Sequence, residues 1–311
     1  MIIPPGFDQR SVQTSLGSMV YYTNGSAPWD GAESQSNDSI VFFHGFGGGS
    51  SAYEWSKVFP AFAPDYRIIA PDLIGWGRSA HPQRNYTIDD YVTIILEFLE
   101  QTCDRPVPVV ASALTAAFMI RAAIARPEQF RYLILTTASG LNEMGKDYQE
   151  NFFTKVAATP IIDRLIYSTG VATSFGIRSF LEQRQFAKSE RVYEEIVDAY
   201  LKSAQQPNAE YAALSFVRGD LCFDLTESIG ALTTPTAIIW GQKSEYTGPE
   251  VGRRLAEMNP IAVRIFHQFD DVGFTPHLEL PGVTIGLLRK FMPVLEQAYQ
   301  ETLPTTPASI G

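Results

Sequence analysis

Cysteine is scarce in this sequence, and that scarcity excludes a fold held together by disulfides. The 311 residues include only two cysteines, Cys103 and Cys222, far apart along the chain. Two isolated thiols form no disulfide framework and are typical of a reducing compartment. Histidine is nearly as rare, with four residues, and neither a His-Glu-x-x-His nor a Cys-x-x-Cys pattern occurs. We therefore predict no metal site.

Positive charge is also in short supply, which argues against two classes of partner. Lys and Arg number 24 against 34 Asp and Glu, for a net charge of −10. Nucleic acids and anionic membrane surfaces both bind clustered Lys and Arg, so neither is expected as a partner. The chain has no apolar run of the roughly 20 residues that a membrane span needs. Its first residues carry no basic segment, so we predict no signal peptide and a cytoplasmic location.

Hydrophobic residues are abundant and are arranged in a pattern typical of an α/β fold. They make up 45% of the chain, whereas charged residues make up 19%, so a sizeable core is expected. Short β-rich runs alternate with helical patterns, which indicates a mostly parallel sheet with helices on both faces. The predicted strands cover residues 12–15, 19–22, 40–43, 67–70, 107–111, 132–136, 236–240 and 263–267. Thr87, with Asp90 three residues later, predicts the start of a helix.

The strand pattern disappears in the middle of the chain. Between about 141 and 229 helical segments dominate, including 189–203 and 209–217. We interpret this stretch as a helical cap over the carboxyl edge of the sheet. Residues 1–140 and 230–300 then form the core, with a last amphipathic helix over about 282–299. Residues 301–311, rich in Pro and Thr, are predicted to be a disordered tail.

Four motifs, in order along the chain, resemble those of the α/β-hydrolase fold family. Residues 44–50 read HGFGGGS, 70–79 read APDLIGWGRS, 235–241 read PTAIIWG and 276–279 read PHLE. The resemblance implies an α/β-hydrolase fold with an inserted helical cap. It also implies that HGFGGGS is an oxyanion loop, in which glycines let the backbone turn sharply. The residues assigned to the oxyanion loop and pocket are His44, Gly45, Phe46, Leu114 and Trp76.

The family's nucleophile stands in a Gly-x-Ser-x-Gly elbow, where small residues flank the nucleophile two positions away on either side. Here residues 109–116 read VVASALTA. A nucleophile at Ser112 would have two bulky flanking residues, Val110 and Leu114. Sterics favour the other register, which puts Ala113 at the tip of the elbow. A methyl group cannot attack a carbonyl carbon.

The resemblance also puts unusual residues at the other two catalytic positions. Ser244 stands where the family has its acid, and Phe274 where it has the histidine; a phenyl ring exchanges no proton. His277 is interpreted as a structural histidine. A fallback set of catalytic residues would combine Ser112 and Glu245 with His267 or His277. One laboratory substitution would not explain all three departures, so we interpret them as natural.

The leading hypothesis is an α/β-hydrolase-fold protein without the Ser-Asp-His triad. It would bind a small apolar ligand or a protein partner in a pocket between sheet and cap. Candidate lining residues are Trp76, Tyr246, Phe152, Phe153, Phe175 and Phe180, over a floor of Ala113 and Phe274. One alternative is an esterase- or lipase-like enzyme that uses the fallback residues; others are a non-hydrolytic catalyst in the same pocket and a pure scaffold with a filled cavity. No cofactor is predicted, because neither a P-loop nor a dinucleotide motif is complete.

Overall fold

A computed structural model of the chain describes residues 3–29, 38–145 and 167–303. Its centre is one eight-stranded sheet with the order β1-β2-β4-β3-β5-β6-β7-β8. The strands are β1 (Phe7–Thr14), β2 (Gly17–Asn24), β3 (Ser39–Phe43), β4 (Arg67–Pro71), β5 (Val107–Ser112), β6 (Phe130–Thr136), β7 (Thr236–Gly241) and β8 (Val263–Phe269). All eight predicted strands are confirmed, although the first hairpin is longer at both ends.

The sheet is antiparallel at one edge and parallel elsewhere. β1 pairs antiparallel with β2, and β2 pairs antiparallel with β4. Every further pairing, from β4 through β3 to β8, is parallel. In parallel strands the carboxyl ends lie along one edge, so the loops that follow β3, β5, β6, β7 and β8 all emerge there.

Helices cover both faces, as the strand–helix alternation predicts. The helices are α1 (Ile88–Thr102), α2 (Ala113–Ala125), α3 (Ser174–Phe180), α4 (Glu194–Ala204), α5 (Ala209–Val217), α6 (Pro249–Met258) and α7 (Pro281–Thr302). Short helical turns lie at Ala52–Trp55, Phe59–Phe62, Pro127–Gln129, Glu143–Gly145, Tyr167–Val171, Leu181–Gln185, Ser189–Arg191, Leu225–Glu227, Ile229–Ala231 and Pro276–Glu279. The predicted cap of α1 is confirmed, since Thr87 and Asp90 form a reciprocal capping box.

Alternation of side chains along the strands divides the core into two layers. On β3, Val41 and Phe43 join the layer formed with α1, α2 and the helices that follow β6. Ile40 and Phe42 join the other layer, which contains the turns Ala52–Trp55 and Phe59–Phe62 together with α7. A strand buried on both faces reads as a continuous apolar run, which is why the sequence made these central strands recognisable.

The region between β6 and β7 contains α3, α4 and α5 in its described parts, 137–145 and 167–235. The helix predicted over 189–203 is in fact a turn, Ser189–Arg191, followed by α4, because Val192 and Tyr193 are extended. Helix α7 continues to Thr302, past the predicted start of the tail. The division into core, cap and tail stays a prediction, and positions 146–166 and 304–311 lie outside the described residues. No helix in the described residues is long and apolar enough to cross a membrane.

Candidate functional site

The turn after β5 is strained at one residue. Strand β5 ends at Ser112, whose backbone is extended, and α2 begins at Ala113, whose φ is +57°. This left-handed conformation costs an alanine about 1–2 kcal/mol, because its Cβ crowds the backbone. The sharp bend between strand and helix is therefore made at Ala113 and not at Ser112. Ala113 is buried, with 2% of its surface exposed.

Ser112 is buried beside this bend without a partner. Its Oγ is fully enclosed and makes no hydrogen bond among the described residues. The two ring nitrogens of His277 are likewise without hydrogen bonds. Ser112 and His277 are therefore not joined by the hydrogen bond through which an imidazole activates a serine. The structure does not assemble the fallback pair.

The Gly-rich loop after β3 packs directly against the bend. A Cβ added to Gly45 would lie 3.0 Å from Ser112 Oγ and 3.1 Å from the Cβ of Ala113. His44 fixes this loop from behind. Its Nε2 accepts the Leu73 N–H at 2.9 Å, so its Nδ1 carries the proton and donates to Gly45 O at 2.7 Å. His44 thus holds the loop in place with both ring nitrogens.

Glu54 is a buried carboxylate beneath the same loop, and sequence reasoning missed it. Its Oε2 accepts the Gly45 N–H at 2.8 Å, and its Oε1 accepts the Tyr200 hydroxyl of α4 at 2.9 Å. Burial opposes its charge, but His277, His44 and Ser50 outweigh burial and lower the pKa of Glu54 to about 2. The one sequence feature that could have indicated a buried carboxylate is the position of Glu54 between two large aromatic residues, Tyr53 and Trp55.

His277 is enclosed and held by stacking. Its ring lies 3.9 Å from the ring of Trp55 with an interplanar angle of 13°, and its Nε2 lies 3.6 Å from Glu54 Oε2. Burial lowers the pKa of His277, and the nearby Glu54 carboxylate only partly offsets this. The imidazole is therefore neutral at pH 7, packed as a structural ring.

The loops after β7 and β8 lie against each other. Lys243 N–H donates to Val272 O at 2.8 Å, and the rings of Tyr246 and Phe274 meet edge-on at 5.5 Å. Ser244 Oγ is buried and makes no hydrogen bond among the described residues. Glu245, the fallback acid, is exposed and pairs with Arg184 at 3.3 Å.

His267 lies apart from these loops. It sits within β8, and its ring packs against Phe291 of α7 at 5.7 Å. Helix α7 covers the sheet face that carries the second core layer. Of the fallback residues, then, Ser112 and His277 are both buried but not hydrogen-bonded to each other, Glu245 is exposed, and His267 faces α7.

The segment after α3 contacts the Phe274 loop through hydrogen bonds. The Phe274 N–H donates to Gln185 O at 2.8 Å, and Gln185 Nε2 donates to Thr275 Oγ1 at 3.2 Å. Nearby, Glu279 accepts N–H groups from Gly273 and Ala187 and pairs with Arg191 at 2.9 Å. Burial raises the pKa of Glu279, although these donors counteract it. The loop is thus held by the segment that follows α3 and by Glu279.

An apolar cavity of about 390 Å³ lies between the Gly-rich loop and the helices that follow β6. Its described lining consists of Gly47, Gly48, Trp76, Tyr167, Gly170, Val171, Phe175, Gly176, Ile177, Ser179, Phe180, Gln183, Arg184, Ala213, Leu214, Phe216 and Val217. Trp76, Phe175 and Phe180 line it as expected. Tyr246, Ala113 and Phe274 are not among these lining residues, so the expected floor is wrong for this cavity. Phe152 and Phe153 lie outside the described residues.

The other residues predicted for the oxyanion loop and pocket, His44, Gly45, Phe46 and Leu114, are buried and are not among the described cavity-lining residues. The ring of Phe46 packs edge-on against Trp76 at 5.0 Å and against Tyr91 at 4.8 Å. Leu114, the residue after the bend, is 2% exposed. In the described parts of the chain, no three His, Cys, Asp or Glu side chains cluster as metal ligands would. The site therefore consists of a strained bend, a Gly-rich loop above a buried carboxylate, and an apolar cavity.

Comparison with known proteins gives the same fold throughout. The family model described as alpha/beta hydrolase fold matches residues 38–281. An uncharacterized hydrolase, YugF, of Bacillus subtilis (strain 168) is 26% identical over 243 residues, which is 77% of this chain and 82% of that protein. The strigolactone esterase RMS3 of Pisum sativum is 35% identical over 127 residues, covering 39% of this chain and 46% of that protein.

Solved structures agree over nearly the whole chain. The epoxide hydrolase CorEH without ligand superposes with a TM-score of 0.74 at 20% identity, covering 93% of this chain and 99% of that one. A serine hydrolase involved in carbazole degradation, the CarC enzyme, superposes with a TM-score of 0.71 at 17% identity, covering 93% of this chain and 99% of that one. At these identities the likeness concerns the fold.

Proposed function

Because the chain belongs to the α/β hydrolase fold family, we propose that it keeps the family's scaffold without its nucleophilic chemistry and binds a small apolar ligand. The observation that carries the proposal is the residue at the strained bend. Ala113 holds the φ of +57° that presents a nucleophile in this fold, yet it has only a methyl group. In this proposal Ser244 and Phe274 hold the acid and histidine positions.

Three features support the absence of a substitute nucleophile. Ser112 Oγ is buried and makes no hydrogen bond to an imidazole. Glu245 is directed to solvent, where it pairs with Arg184. Finally, Glu54 places an ionised carboxylate directly under Gly45. A fixed negative charge beside the oxyanion loop opposes the negative charge that builds up on a tetrahedral intermediate.

The cavity supports a binding role. Its volume of about 390 Å³ lies within the range of small-molecule sites, and aromatic and aliphatic side chains form most of its wall. Trp76 and Phe216 stand on the side of the Gly-rich loop and α5, whereas Ile177 and Phe180 come from α3. Burying an apolar ligand here would gain about 25 cal/mol for each Å² removed from water.

A titration with a neutral fluorescent apolar probe, N-phenyl-1-naphthylamine, tests the binding role. Ser179 lines the cavity, so S179W fills it, whereas S174W makes the same change on the exposed first turn of α3. We expect the wild type and S174W to bind the probe with similar affinity, and S179W to bind it at least about tenfold more weakly. Equal affinity for all three proteins, or no binding by the wild type, contradicts the proposal.

Ester hydrolysis tests the missing chemistry separately. We expect p-nitrophenyl acetate and butyrate to be hydrolysed by the wild type no faster than by S112A, since neither protein presents an activated hydroxyl. A wild-type rate that falls in S112A would identify Ser112 as a nucleophile and support the esterase alternative.

A further inference from the structure

The described lining of the apolar cavity carries charge along one edge. Among its described lining residues, only Arg184 carries a charge, and only Ser179 and Gln183 add polar aliphatic side chains. These three residues lie within six positions of one another, in α3 and in the turn Leu181–Gln185 that continues it. All the other lining positions are glycine, aliphatic or aromatic. The wall is therefore apolar except along one side.

The polar atoms of the aromatic wall are already used inside the protein. Trp76 Nε1–H donates to the Tyr91 hydroxyl at 3.1 Å, and the Tyr167 hydroxyl donates to Ala204 O at 3.0 Å. Burial also raises the pKa of Tyr167, which stays neutral. Neither residue offers its donor to a ligand. Among the described lining side chains, recognition of a polar group is left to the edge that contains Arg184.

Two π-helical turns, Tyr167–Val171 and Leu181–Gln185, border the cavity. Such turns are rare, and they occur often at functional sites. In the second turn, Gln183 and Arg184 line the cavity, while the next residue, Gln185, is buried and donates to Tyr200. This π-helical turn thus places Gln183 and Arg184 at the cavity, while Gln185 fixes the turn to the protein core.

The ion pair between Arg184 and Glu245 is weak enough to be exchanged. Arg184 Nη1 lies 3.3 Å from Glu245 Oε2, and both side chains are about half exposed. Exposed pairs of this kind contribute about 0–1 kcal/mol. An anionic group on a ligand can therefore take the place of Glu245 at little cost.

Two apolar side chains of the cavity lining are open to solvent. Phe175 is 82% exposed and Val171 is 40% exposed, although both line the cavity. Exposed apolar surface beside a pocket is typical of a site that a ligand covers. An elongated ligand would cover these side chains with its apolar body.

From these features we infer that the ligand is an anionic amphiphile, with an apolar body in the cavity and a carboxylate or similar group at Arg184. This inference rests on the proposed binding function and specifies its ligand class. Arg184 is then a specificity-determining residue, and Glu245 competes with the ligand for it. The ligand's charge changes how tightly it binds, while its apolar body supplies most of the affinity.

Calorimetric titrations with sodium dodecanoate and dodecyltrimethylammonium, both below their micelle concentrations, test the inference. The readout is the ratio of the two dissociation constants, measured for wild type, R184Q, E245Q and R254Q. Arg254 is an exposed arginine on α6, away from the cavity lining, and serves as the control. We expect the wild type to prefer dodecanoate. The preference should fall by about fivefold in R184Q, rise in E245Q and stay unchanged in R254Q.

The outcomes separate the two claims. If both amphiphiles bind but the ratio is the same in wild type and R184Q, the anionic class is wrong while apolar binding stands. If neither amphiphile nor the neutral naphthylamine probe binds, the proposed function itself fails. A fall in the ratio for R254Q as large as that for R184Q would show a general effect of net charge and would also overturn the inference.

Discussion

Ala113 has a strained left-handed backbone conformation, although its methyl side chain has no catalytic use for it. Its φ of +57° is paid for by the surrounding packing, since Gly45 lies so close that a Cβ there would come within 3.1 Å of the Ala113 methyl. The neighbouring residues fix the bend, so it persists whether or not a nucleophile stands at its tip. The strain at residue 113 agrees with its proposed place at the nucleophile position, where the chemistry would depend on the side chain.

Gly49 is a second residue whose backbone the packing dictates. Its φ is +100°, and a Cβ there would overlap the Tyr200 carbonyl of α4. We predict that G49A lowers the free energy of unfolding by about 3 kcal/mol, through overpacking and backbone strain. G286A is the matched control, because Gly286 lies inside α7 with nothing near its Cβ position. It should raise stability by up to about 1 kcal/mol in denaturant titrations. Equal effects would show that the loop and α4 are not in contact.

His277 predicts a pH dependence of stability. Its pKa is lowered in the fold, so the unfolded chain binds this proton more readily than the native chain does. Stability from this residue is present above about pH 6.5 and is lost as the pH falls below that value. H277F keeps an aromatic ring against Trp55 but cannot bind the proton. Between pH 6.5 and 5, the change of unfolding free energy with pH should be smaller in H277F than in the wild type, by the equivalent of up to about one bound proton. An unchanged slope would mean that His277 is already protonated in the folded protein.

At the scale of elements, the sequence predicted strands better than the helices around the site. The central strands β3 to β7 are almost entirely buried and mostly apolar. Thr87 and Asp90 mark the start of α1. Helix α6 was missed, because Pro249–Met258 contains a glycine and several charges and only Val251 and Leu255 turn towards the core among its larger side chains. The π-helical turns carry no local pattern. Glu54 could not be placed either, since its partners Gly45 and Tyr200 are brought to it by tertiary folding.

A buried ion pair adds to the hydrogen bonds that join the segment after α3 to the Phe274 loop. The Arg191 side chain is 14% exposed and the Glu279 side chain is completely buried. Removing Arg191 would leave the Glu279 carboxylate without its cation, so R191A should lower the free energy of unfolding by about 3 kcal/mol. R254A, which breaks an exposed pair with Glu257, should change it by less than about 0.5 kcal/mol. Chemical denaturation compares the two, and similar values would show that Arg191 is not a structural anchor.

In the whole molecule, the strained bend and the cavity are two separate places. Ala113 and Phe274 are buried and are not among the described cavity residues, whereas Trp76 and the Gly-rich loop border the cavity directly. The proposed binding role and the proposed absence of nucleophilic chemistry can therefore be tested independently. The order of the motifs and the strand pattern were enough to predict the fold, because each strand is readable by itself. A pocket and three of its aromatic lining residues, Trp76, Phe175 and Phe180, were predicted. The rest of its described lining was not, because it comes from segments that are far apart in the sequence and meet only in the fold.

The proposed triad positions predict a gain of function. We expect the triple variant A113S/S244D/F274H to hydrolyse p-nitrophenyl acetate at least about tenfold faster than the wild type. A113S alone should show no gain, because a serine without its base lacks most of the triad's rate enhancement. A triple variant that is folded but as inactive as A113S would mean that residues 244 and 274 do not occupy the acid and histidine positions.

The central claim is that this hydrolase scaffold presents no nucleophile, and intact-mass spectrometry after incubation with a fluorophosphonate tests it most directly. The wild-type protein should retain its unmodified mass under conditions that label a known serine hydrolase to completion. Stoichiometric addition of one phosphonyl group to the wild type, with the adduct on Ser112 or any other serine of the site, would contradict the account.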